Sequence, residues 1–308
     1  MAIVTIIMGT FNRAHLISET LESILNQSLK NWECLIIDDG SNDDTAKVVE
    51  KFTSKDPRFS YLQRTREYKK GLPGCRNQGL DLAKGEFIVF FDDDDIPHPQ
   101  LLQLTVAELK KSDHDFCRYL RSTFMGRFSK EFILVESYST KKIGQKKLEA
   151  VIMNDLPFNS CQIMWRKSSI GKSRFDENLM YAEEWEFYTR ILSTGLEGNS
   201  INKELYFGRK HPNSNTGEFY RKEPIRLSSQ IQAASLVINN LASKKLFSET
   251  LKFFFLRMGF ELKSFNIIKL SLKAANAGVM EKWKYKIGFQ IYPVLKPIFY
   301  LKAKILKS

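Results

Sequence analysis

The stretch Phe90-Phe91-Asp92-Asp93-Asp94-Asp95 decides the fold, because an apolar run ends there in four consecutive carboxylates. The run that leads into it, residues 86–91, has the length of a strand, and Pro97 and Pro99 block the strand from continuing. Adjacent carboxylates repel one another, which pushes some of their pKa values up. A hard divalent cation such as Mg²⁺ or Mn²⁺ would relieve that repulsion, since such ions take oxygen ligands and bridge to phosphate oxygens. A solvated acidic loop is the alternative.

Length and composition allow a well-packed protein. The 308 residues suffice for one large domain, or for one domain with an appendage, and 43% hydrophobic residues can fill a core. The cysteines stand at positions 34, 75, 117 and 161, without a CxxC or other close pair. This spacing indicates neither a zinc site nor a disulfide framework, and it favours buried thiols in a reducing compartment.

The two ends of the chain carry different signals. Residues 1–8 lack a basic segment and are too short for a signal peptide, so they are interpreted as a first strand. No run approaches the roughly 18 apolar residues of a membrane-spanning helix, and we expect the protein in the cytoplasm. Of the net charge of +12, residues 241–308 carry +11, from 14 Lys and Arg against 3 Asp and Glu. The basic surface is therefore separable from the rest of the chain.

Strands and helices alternate four times in the first 90 residues or so. The predicted strands are residues 3–8, 33–37, 59–62 and 86–91, and the helices between them include one at residues 75–83 that ends at Gly85. Ser41 or Asn42 is the expected cap of the second helix. Such alternation predicts an α/β fold with a mostly parallel sheet and right-handed crossovers.

Polar clusters follow three of these strands. They are Thr10-Phe11-Asn12-Arg13, Asp38-Asp39 and Asp92 to Asp95. In open sheets of this kind, ligands bind beyond the carboxyl ends of the strands, so the pattern predicts a nucleotide-binding crevice there. The phosphate-binding patterns GxGxxG and GxxxxGK[ST] are absent after these strands. Side chains and a metal ion would therefore have to hold a diphosphate.

Four ordered motifs together resemble the family 2 glycosyltransferases, which have the GT-A fold. The resemblance is close over residues 3–110 and loose to about residue 215, and it rests on the following stretches: Thr10-Phe11-Asn12-Arg13, Ile37-Asp38-Asp39-Gly40-Ser41, Gly74-Cys75-Arg76-Asn77-Gln78-Gly79, and Phe91-Asp92-Asp93-Asp94-Asp95 with Pro97 two residues on. It implies a Rossmann-like, mostly parallel sheet flanked by helices.

The resemblance also implies roles for single residues. Asp39 would contact the nucleotide base, in a pocket lined by the backbone near Thr10 and Phe11. An N-cap or Asx turn is the structural alternative for Asp39. Arg76 would contact base or phosphate, unless it is a solvated helical arginine. The acidic stretch matches the family's DxD motif, with Asp94 as direct metal ligand and Asp92 or Asp93 on the ribose or a metal-bound water. The donor-binding residues implied are Thr10, Phe11, Asn12, Arg13, Asp39, Arg76, Asp92, Asp93, Arg209 and Ser214, and the metal ligands are Asp94, Asp92 and His211.

The middle of the chain is less informative. Further strands are predicted near residues 116–121, 132–135 and 161–165. A basic run lies between the last two of these, at Lys141, Lys142, Lys146 and Lys147. Such a run is usually a solvated loop and helix start, although it is also a candidate for contact with the acceptor.

Glu183-Glu184-Trp185 precedes a predicted helix at residues 188–192. Acidic residues are favoured at a helix N-terminus, which is a purely structural explanation. An inverting sugar transfer, however, needs one general base to take a proton from the acceptor hydroxyl. The resemblance assigns that role to the second acid of such a pair, here Glu184, with Glu183 as the alternative. The family commonly has Asp at this position, and Glu reaches one methylene further.

The segment Tyr206 to Ser214 resembles the part of the family that follows a late strand and lies near the diphosphate. Arg209, Lys210 and Ser214 would then be phosphate-side donors. His211 could bind the metal or a phosphate, or could be an ordinary loop histidine. The QxxRW motif of the family's processive members is absent from this chain, which favours transfer of one sugar per encounter.

From about residue 223 the chain is predicted to be helical, basic and rich in aromatic residues. Basic amphipathic helices of this kind lie on anionic membrane surfaces. Plain packing or a dimer contact is the main alternative, and nucleic-acid binding is disfavoured. Pro293 and Pro297 are expected to divide the last helical piece.

The sequence therefore predicts two domains, a GT-A glycosyltransferase at residues 1–220 and a basic helical region at 221–308. The expected function is a Mn²⁺- or Mg²⁺-dependent, inverting, non-processive transfer from a nucleotide-sugar, most simply a UDP-sugar, to a glycan or lipid-linked saccharide in polysaccharide or glycolipid biosynthesis. The expected location is peripheral, on the inner face of the cell membrane. Oligomeric state stays open. Two alternatives are a non-catalytic glycan- or lipid-binding protein and a sugar-1-phosphate nucleotidyltransferase, which would need a Gly-rich basic loop after the first strand.

Overall fold

The structure, a computed structural model, describes residues 2–210 and 215–305, and it describes the backbone alone of residues 215–216 and 295–305. The chain divides into two compact units, Met1–Arg226 and Leu227–Ser308. We describe each unit by itself.

The first unit is built on a nine-stranded sheet, and its first four major strands run parallel. In the order β3-β2-β1-β4 these strands pair side by side, as the predicted alternation requires. Strand β1 lies in the middle of this half, where Val4, Ile6 and Met8 are buried. The bounds are β1 Val4–Thr10, β2 Trp32–Asp38, β3 Phe59–Gln63 and β4 Phe87–Phe90.

The crossover helices of this half alternate with its strands. Helix α2, Thr45–Thr53, begins after Asp44, so the prediction that Ser41 or Asn42 caps it is wrong. Ser41 and Asn42 instead form hydrogen bonds with Asn12, in the loop after β1: the Ser41 hydroxyl accepts from the Asn12 N–H, and the Asn42 N–H donates to Asn12 Oδ1. The bounds are α1 Ile17–Leu25, α2 Thr45–Thr53, α3 Leu72–Leu82 and α4 Leu101–Lys110.

The other half of the sheet is mixed, so the sheet as a whole is less parallel than predicted. The order continues β4-β8-β6-β9-β5, with β7 also on β9, and of these pairs β6–β9 alone is parallel. The bounds are β5 Ile96–Pro97, β6 Phe116–Met125, β7 Thr140–Ile143, β8 Ile163–Arg166 and β9 Gly198–Lys210. The helices of this half are α5 Leu148–Ile152, α6 Lys167–Ile170, α7 Glu183–Leu192 and α8 Asn215–Tyr220, with 3₁₀ turns at Gln145–Lys147 and Ser160–Gln162.

The predicted strand at residues 132–135 is wrong. Side chains rather than a neighbouring strand satisfy the backbone there: Val135 N donates to Gln100 Oε1 at 2.6 Å, and the Ile133 carbonyl lies 3.2 Å from His98 Nε2. The strand is instead β7, which includes Lys141 and Lys142 of the basic run. Its edge position explains the exposed lysines, because charged side chains discourage further strand pairing.

Helix α3 packs unusually close to β1. A Cβ at Gly79 would lie 2.3 Å from Ile7 Cγ2, so only glycine permits this approach. The preceding residues of α3 are buried almost without interruption, including Arg76 and Asn77. The close contact fixes the depth at which Arg76 enters the sheet edge.

All four cysteines are free and buried, which confirms the thiols expected from their spacing. Among the described residues, no helix combines the length and apolarity needed to cross a membrane.

The second unit is helical. Its helices are α9 Pro224–Ser243, whose first three residues belong to the first unit, α10 Glu249–Glu261, α11 Phe265–Ala274 and α12 Val279–Ile305. Helix α12 runs through Pro293 and Pro297, so these prolines do not divide it as predicted. Each proline lacks one backbone N–H and so removes one helix hydrogen bond. The other turns of this 27-residue helix keep theirs, and the helix continues on both sides of each proline.

Candidate active site at the strand ends

The carboxyl ends of β1 and β2 meet in register. Thr10 pairs with Asp38, and the Asp39 N–H donates to the Thr10 carbonyl at 2.9 Å. Residues 10 and 39 are thus neighbours, as expected for a pocket built from two adjacent strand ends. Phe11 follows with 43% of its surface exposed, and the Lys70 ammonium lies 5.0 Å from the centre of its ring.

The loop after β1 is held by the loop after β2. Asn12 adopts a left-handed backbone, donates its N–H to Ser41 Oγ at 2.9 Å and accepts from the Asn42 N–H at 2.9 Å. The Arg13 N–H donates to Thr45 Oγ1 at 2.9 Å. These bonds fix the path of the loop, so that the Arg13 side chain reaches the acidic stretch, 3.3 Å from Asp93 Oδ1.

Asp38 and Asp39 are adjacent in sequence but bind different parts of the structure. Asp38 forms the Asx turn, accepting from the Gly40 N–H, the Ser41 N–H and the Ser41 hydroxyl. The structural alternative proposed for Asp39, a cap or Asx turn, is therefore wrong. Asp39 instead accepts from Arg64 Nε at 2.5 Å and from the Gly71 N–H at 3.0 Å, which ties the loop before α3 to the strand end.

The acidic stretch is not a solvated loop, because Asp93, Asp94 and Asp95 are each at most 8% exposed. Burial raises the pKa of Asp93 to about 7, although the Arg13 guanidinium acts against it. Burial, together with the Glu184 and Asp94 carboxylates, raises the pKa of Asp92 to about 6. For Asp92 and Asp93, burial and the neighbouring carboxylates thus disfavour the charged form by more than the nearby arginines favour it.

The chemistry of the stretch fits a hard divalent cation. Oxygen atoms of Asp92 and Asp95 and the Cys161 sulfur lie within 4.8 Å of one another. Burial raises the pKa of Cys161 well above its usual value, so the thiol is neutral and is a poor ligand for Mg²⁺ or Mn²⁺. Asp95 is occupied as well, because it accepts from the Arg209 N–H at 2.7 Å and pairs with Arg121 at 3.4 Å. Asp92, the other carboxylate of this group, pairs with Arg76 at 3.4 Å.

Arg76 joins the acidic stretch to helix α7. Its side chain is 2% exposed, and its guanidinium lies 3.4 Å from Asp92, 3.5 Å from Glu183 and 2.8 Å from Glu184. Two aromatic rings, Phe90 and Phe175, lie 5.7 and 5.5 Å from it. Arg76 is therefore not the solvated helical arginine that the sequence left as an alternative.

The acids at the start of α7 have separate environments. Glu186 is bound to Arg190 at 2.7 Å, four residues along the same helix. The Glu184 side chain is 26% exposed and accepts from the Ser160 N–H at 3.0 Å, whereas Glu183 is only 9% exposed.

The protonation preferences of the pair differ too. Burial and the Glu184 carboxylate raise the pKa of Glu183 to about 7. Burial would also raise the pKa of Glu184, but the Arg76 guanidinium and the Ser160 N–H outweigh it and hold that pKa below its usual value. At neutral pH, Glu184 is consequently the ionised member of the pair.

A family model described as glycosyl transferase family 2 matches residues 5–172, more than half of the chain. The chain belongs to glycosyl transferase family 2. This confirms the resemblance to the family 2 glycosyltransferases. The mixed α/β sheet and the structural neighbours below confirm the GT-A fold.

One curated relative of this family 2 chain is a GalNAc(5)-diNAcBac-PP-undecaprenol beta-1,3-glucosyltransferase from Campylobacter jejuni, 31% identical over 202 residues. The match covers 66% of this chain and 55% of the relative, so the chain spans about half of that protein's length.

Two solved structures share the fold. S. aureus TarS in complex with UDP-GlcNAc aligns with a TM-score of 0.59 at 18% identity, covering 90% of this chain and 92% of that one. A Pyrobaculum calidifontis mannosyltransferase in complex with GDP-Man and Mn²⁺ aligns with a TM-score of 0.56 at 16% identity, covering 98% of this chain and 83% of that one.

The predicted residues from the first 184 positions of this family 2 chain lie together at the carboxyl ends of the parallel strands. The predicted residues after position 205 need separate description. The Arg209 guanidinium donates to the Asp94 carbonyl at 2.9 Å, pairs with Glu19 at 2.5 Å and also bonds the Gly126 carbonyl. All three of its nitrogens thus have protein partners, and reaching a phosphate would require exchanging them. His211 and Ser214 lie outside the described residues.

Several supporting residues were missed because they come from distant parts of the sequence. The Asp92 N–H donates to the Tyr206 hydroxyl at 3.0 Å, which fixes the backbone at the start of the acidic stretch. Arg121 reaches Asp95 across Gly208, where a Cβ would lie 1.7 Å from the guanidinium. Gly208 is the available sequence signal, since a glycine inside a strand often marks a close approach.

Proposed function

We propose that this chain is a metal-dependent, inverting, non-processive glycosyltransferase that moves one sugar from a nucleotide-sugar, most simply a UDP-sugar, to a hydroxyl of a lipid-linked saccharide. The observation that carries the proposal is the continuous contact Asp92–Arg76–Glu184. It links the carboxylate stretch suited to a diphosphate-bound metal with a carboxylate suited to activate an acceptor.

The donor would lie across the ends of β1, β2 and β4. Asp39 and the backbone near Thr10 and Phe11 form the side suited to the base, with Asn12 holding that loop in place. Arg13 and Asp93 already form an ion pair at the adjoining position, which suits contact with the ribose or the phosphates. Arg209 and Ser214 are proposed on the phosphate side. TarS supports a UDP-sugar donor, because its UDP-GlcNAc complex has the same fold.

Asp92 and Asp94 would hold the divalent cation, and His211 is a further proposed ligand. When bound, the cation would supply positive charge against the diphosphate leaving group. The carboxylate oxygens favour Mg²⁺ or Mn²⁺, and the Mn²⁺ complex of the mannosyltransferase neighbour supports the same choice.

Glu184 would act as general base. Its carboxylate is ionised at neutral pH, is partly exposed, and is oriented by the Arg76 guanidinium and the Ser160 N–H. A carboxylate fixed in this way can take the proton of an acceptor hydroxyl as the oxygen attacks the anomeric carbon. Attack opposite the leaving diphosphate inverts the configuration at that carbon. Glu183 is less suited, since it is nearly inaccessible.

The acceptor and the location follow from the relatives and the charge distribution. The Campylobacter jejuni relative is named for an acceptor on undecaprenol, and such a lipid stays in the membrane. We propose that this chain works peripherally on the inner face of the cell membrane, in polysaccharide or glycolipid biosynthesis, with residues 221–308 facing the lipid. The catalytic part would be residues 1–220.

Titration calorimetry of the full chain with UDP, GDP and dTDP, each with and without Mn²⁺, tests the donor site. We expect one nucleotide, UDP, to bind in a manganese-dependent way. Asp94→Asn should remove the manganese dependence, and Asp81→Asn, which changes an exposed pair with Arg174, should not. A folded protein that binds none of the three nucleotides would instead favour a non-catalytic glycan- or lipid-binding protein.

A further inference from the structure

Helix α12 of the second unit carries an exposed apolar face. Five large apolar side chains on it are between 47% and 88% exposed: Met280, Trp283, Ile287, Ile291 and Val294. At 3.6 residues per turn these positions fall within roughly 80° of the helix circumference. We call them the α12 stripe.

The opposite face of α12 is already used for packing. The Tyr292 and Phe289 rings lie 5.0 and 5.8 Å from Phe260, and Phe289 lies 5.4 Å from Phe265. Tyr285 belongs to the same cluster. The helix is therefore anchored within its unit by one face, and the α12 stripe is directed away from that core.

The charge around the stripe is mainly positive, and Glu281, the one acid within residues 280–294, pairs with Lys252 at 3.1 Å. Lys284 and Lys286 are exposed on either side of it, and the Lys286 ammonium lies 4.9 Å from the Trp283 ring. Residues 282–308 contain seven lysines and no Asp or Glu. An apolar stripe between lysines matches the boundary of an anionic bilayer, where the apolar side enters the acyl region and the lysines meet the headgroups.

We infer that the α12 stripe is a membrane-contact surface that binds anionic phospholipid, with α12 lying in the plane of the interface. This inference deepens the proposed function by naming the face that would bring the site to a lipid-linked acceptor. A second copy of the chain is a poorer occupant of this face, because it would bring the same excess of lysines into contact. Nucleic acid would use the lysines but would leave the apolar stripe in water.

The test compares sedimentation of the full chain with vesicles of phosphatidylglycerol and phosphatidylcholine, and with vesicles of phosphatidylcholine alone. Wild type should sediment with the anionic vesicles, and its tryptophan emission should shift to the blue as Trp283 enters the lipid. The double variant Trp283→Glu/Ile287→Glu should bind at least tenfold more weakly. Phe253→Glu, which changes an exposed aromatic residue on α10 rather than on α12, should bind like wild type.

Three results would overturn the inference: no binding of wild type to anionic vesicles, equal binding by the double variant, or a dimer in solution that the double variant converts to monomer. Calorimetric UDP binding by the double variant keeps the two proposals apart, because the proposed donor site is built from residues of the first unit. Loss of vesicle binding with intact UDP binding supports the inference. Absence of UDP binding in wild type would count against the proposed function alone.

Discussion

Glu183 and Glu184 are adjacent in sequence and differ in every property that matters for proton transfer. Glu184 is ionised and partly open, whereas Glu183 is enclosed and has its pKa raised to about 7. Replacing Glu184 by Gln should lower the transfer rate by at least about 100-fold, the usual range for losing a general base. The UDP dissociation constant should change little. Steady-state nucleotide release and calorimetry measure the two quantities.

Glu183→Gln is the matched control, since it removes a neighbouring carboxylate of the same length. We expect it to keep most of the transfer rate. Full activity in Glu184→Gln combined with loss in Glu183→Gln would transfer the proposed role to Glu183.

Arg76 holds three buried or partly buried carboxylates in place and supplies the positive charge beside them. Arg76→Met should therefore lower the free energy of unfolding by roughly 3–5 kcal/mol, because it leaves buried charges without a partner. Urea unfolding measures the change. Arg174→Met, at a partly exposed pair with Asp81, should cost less than about 1 kcal/mol. Equal costs for the two variants would show that Arg76 has no special structural role.

Glu183 also predicts a pH dependence of stability. The pKa of Glu183 is raised from 4.5 in the unfolded chain to about 7 in the folded protein. Its favourable contribution to the free energy of unfolding is therefore complete below pH 4.5 and is lost as pH rises through about 7. Glu183→Gln mimics the protonated form. The free energy of unfolding of this variant should equal that of wild type near pH 4.5 and exceed it by up to about 3 kcal/mol at pH 8. Urea unfolding at both pH values tests this.

The exposed Glu50→Gln provides the baseline for that comparison, and its difference from wild type should not vary with pH. A Glu183→Gln protein that is less stable than wild type at pH 8 would mean that Glu183 is bound by Arg76 as a stabilising anion.

At the scale of elements, the site depends on how closely α3 approaches β1. Gly79→Ala would place a Cβ 2.3 Å from Ile7 Cγ2, and the helix would have to move away from the strand. Such overpacking typically costs about 1–3 kcal/mol. Because Arg76 is one turn earlier on α3, nucleotide release should fall as well. Thermal unfolding and the transfer assay test both effects.

Gly278→Ala is the control for this substitution, because a Cβ there has no atom within 4 Å. It should leave stability within about 0.5 kcal/mol of wild type. A Gly79→Ala protein as stable and active as wild type would show that α3 can shift without disturbing Arg76.

The elements that sequence predicted well are those with local signals. Apolar periodicity predicts the first four major strands and their crossover helices. The acidic stretch comes directly after strand β4, as expected. The segment at residues 132–135 has the composition of a strand, yet its backbone bonds go to His98 and Gln100. No local pattern could reveal partners more than 30 residues away.

The site shows the same limit. Asp92 to Asp95, Glu183 and Glu184 are visible in the sequence because carboxylates cluster there. The sequence does not show that these carboxylates share one cation, because that cation, Arg76, comes from a different element, α3. An arginine in a helix sequence can equally be a solvated surface residue, and only the approach of α3 to β1 buries Arg76 among these carboxylates.

At the scale of the whole molecule, charge and chemistry occupy different parts of the chain. The acidic strand ends belong to the first unit, and the excess of lysines lies in the second. This division suits the proposed enzyme, whose donor would be a soluble anion held by a metal and whose acceptor would stay in a membrane.

The most direct test of the central claim is a transfer assay with the purified full chain, Mn²⁺, a set of UDP-sugars and an undecaprenyl-diphosphate-linked saccharide, followed by mass spectrometry of the lipid product. We predict that one UDP-sugar extends the acceptor by a single residue, that nuclear magnetic resonance shows inverted anomeric configuration, and that chelation of the metal stops the reaction. A protein that binds UDP with Mn²⁺ yet extends no acceptor and releases no sugar would contradict the account and would identify a binding protein with a transferase fold.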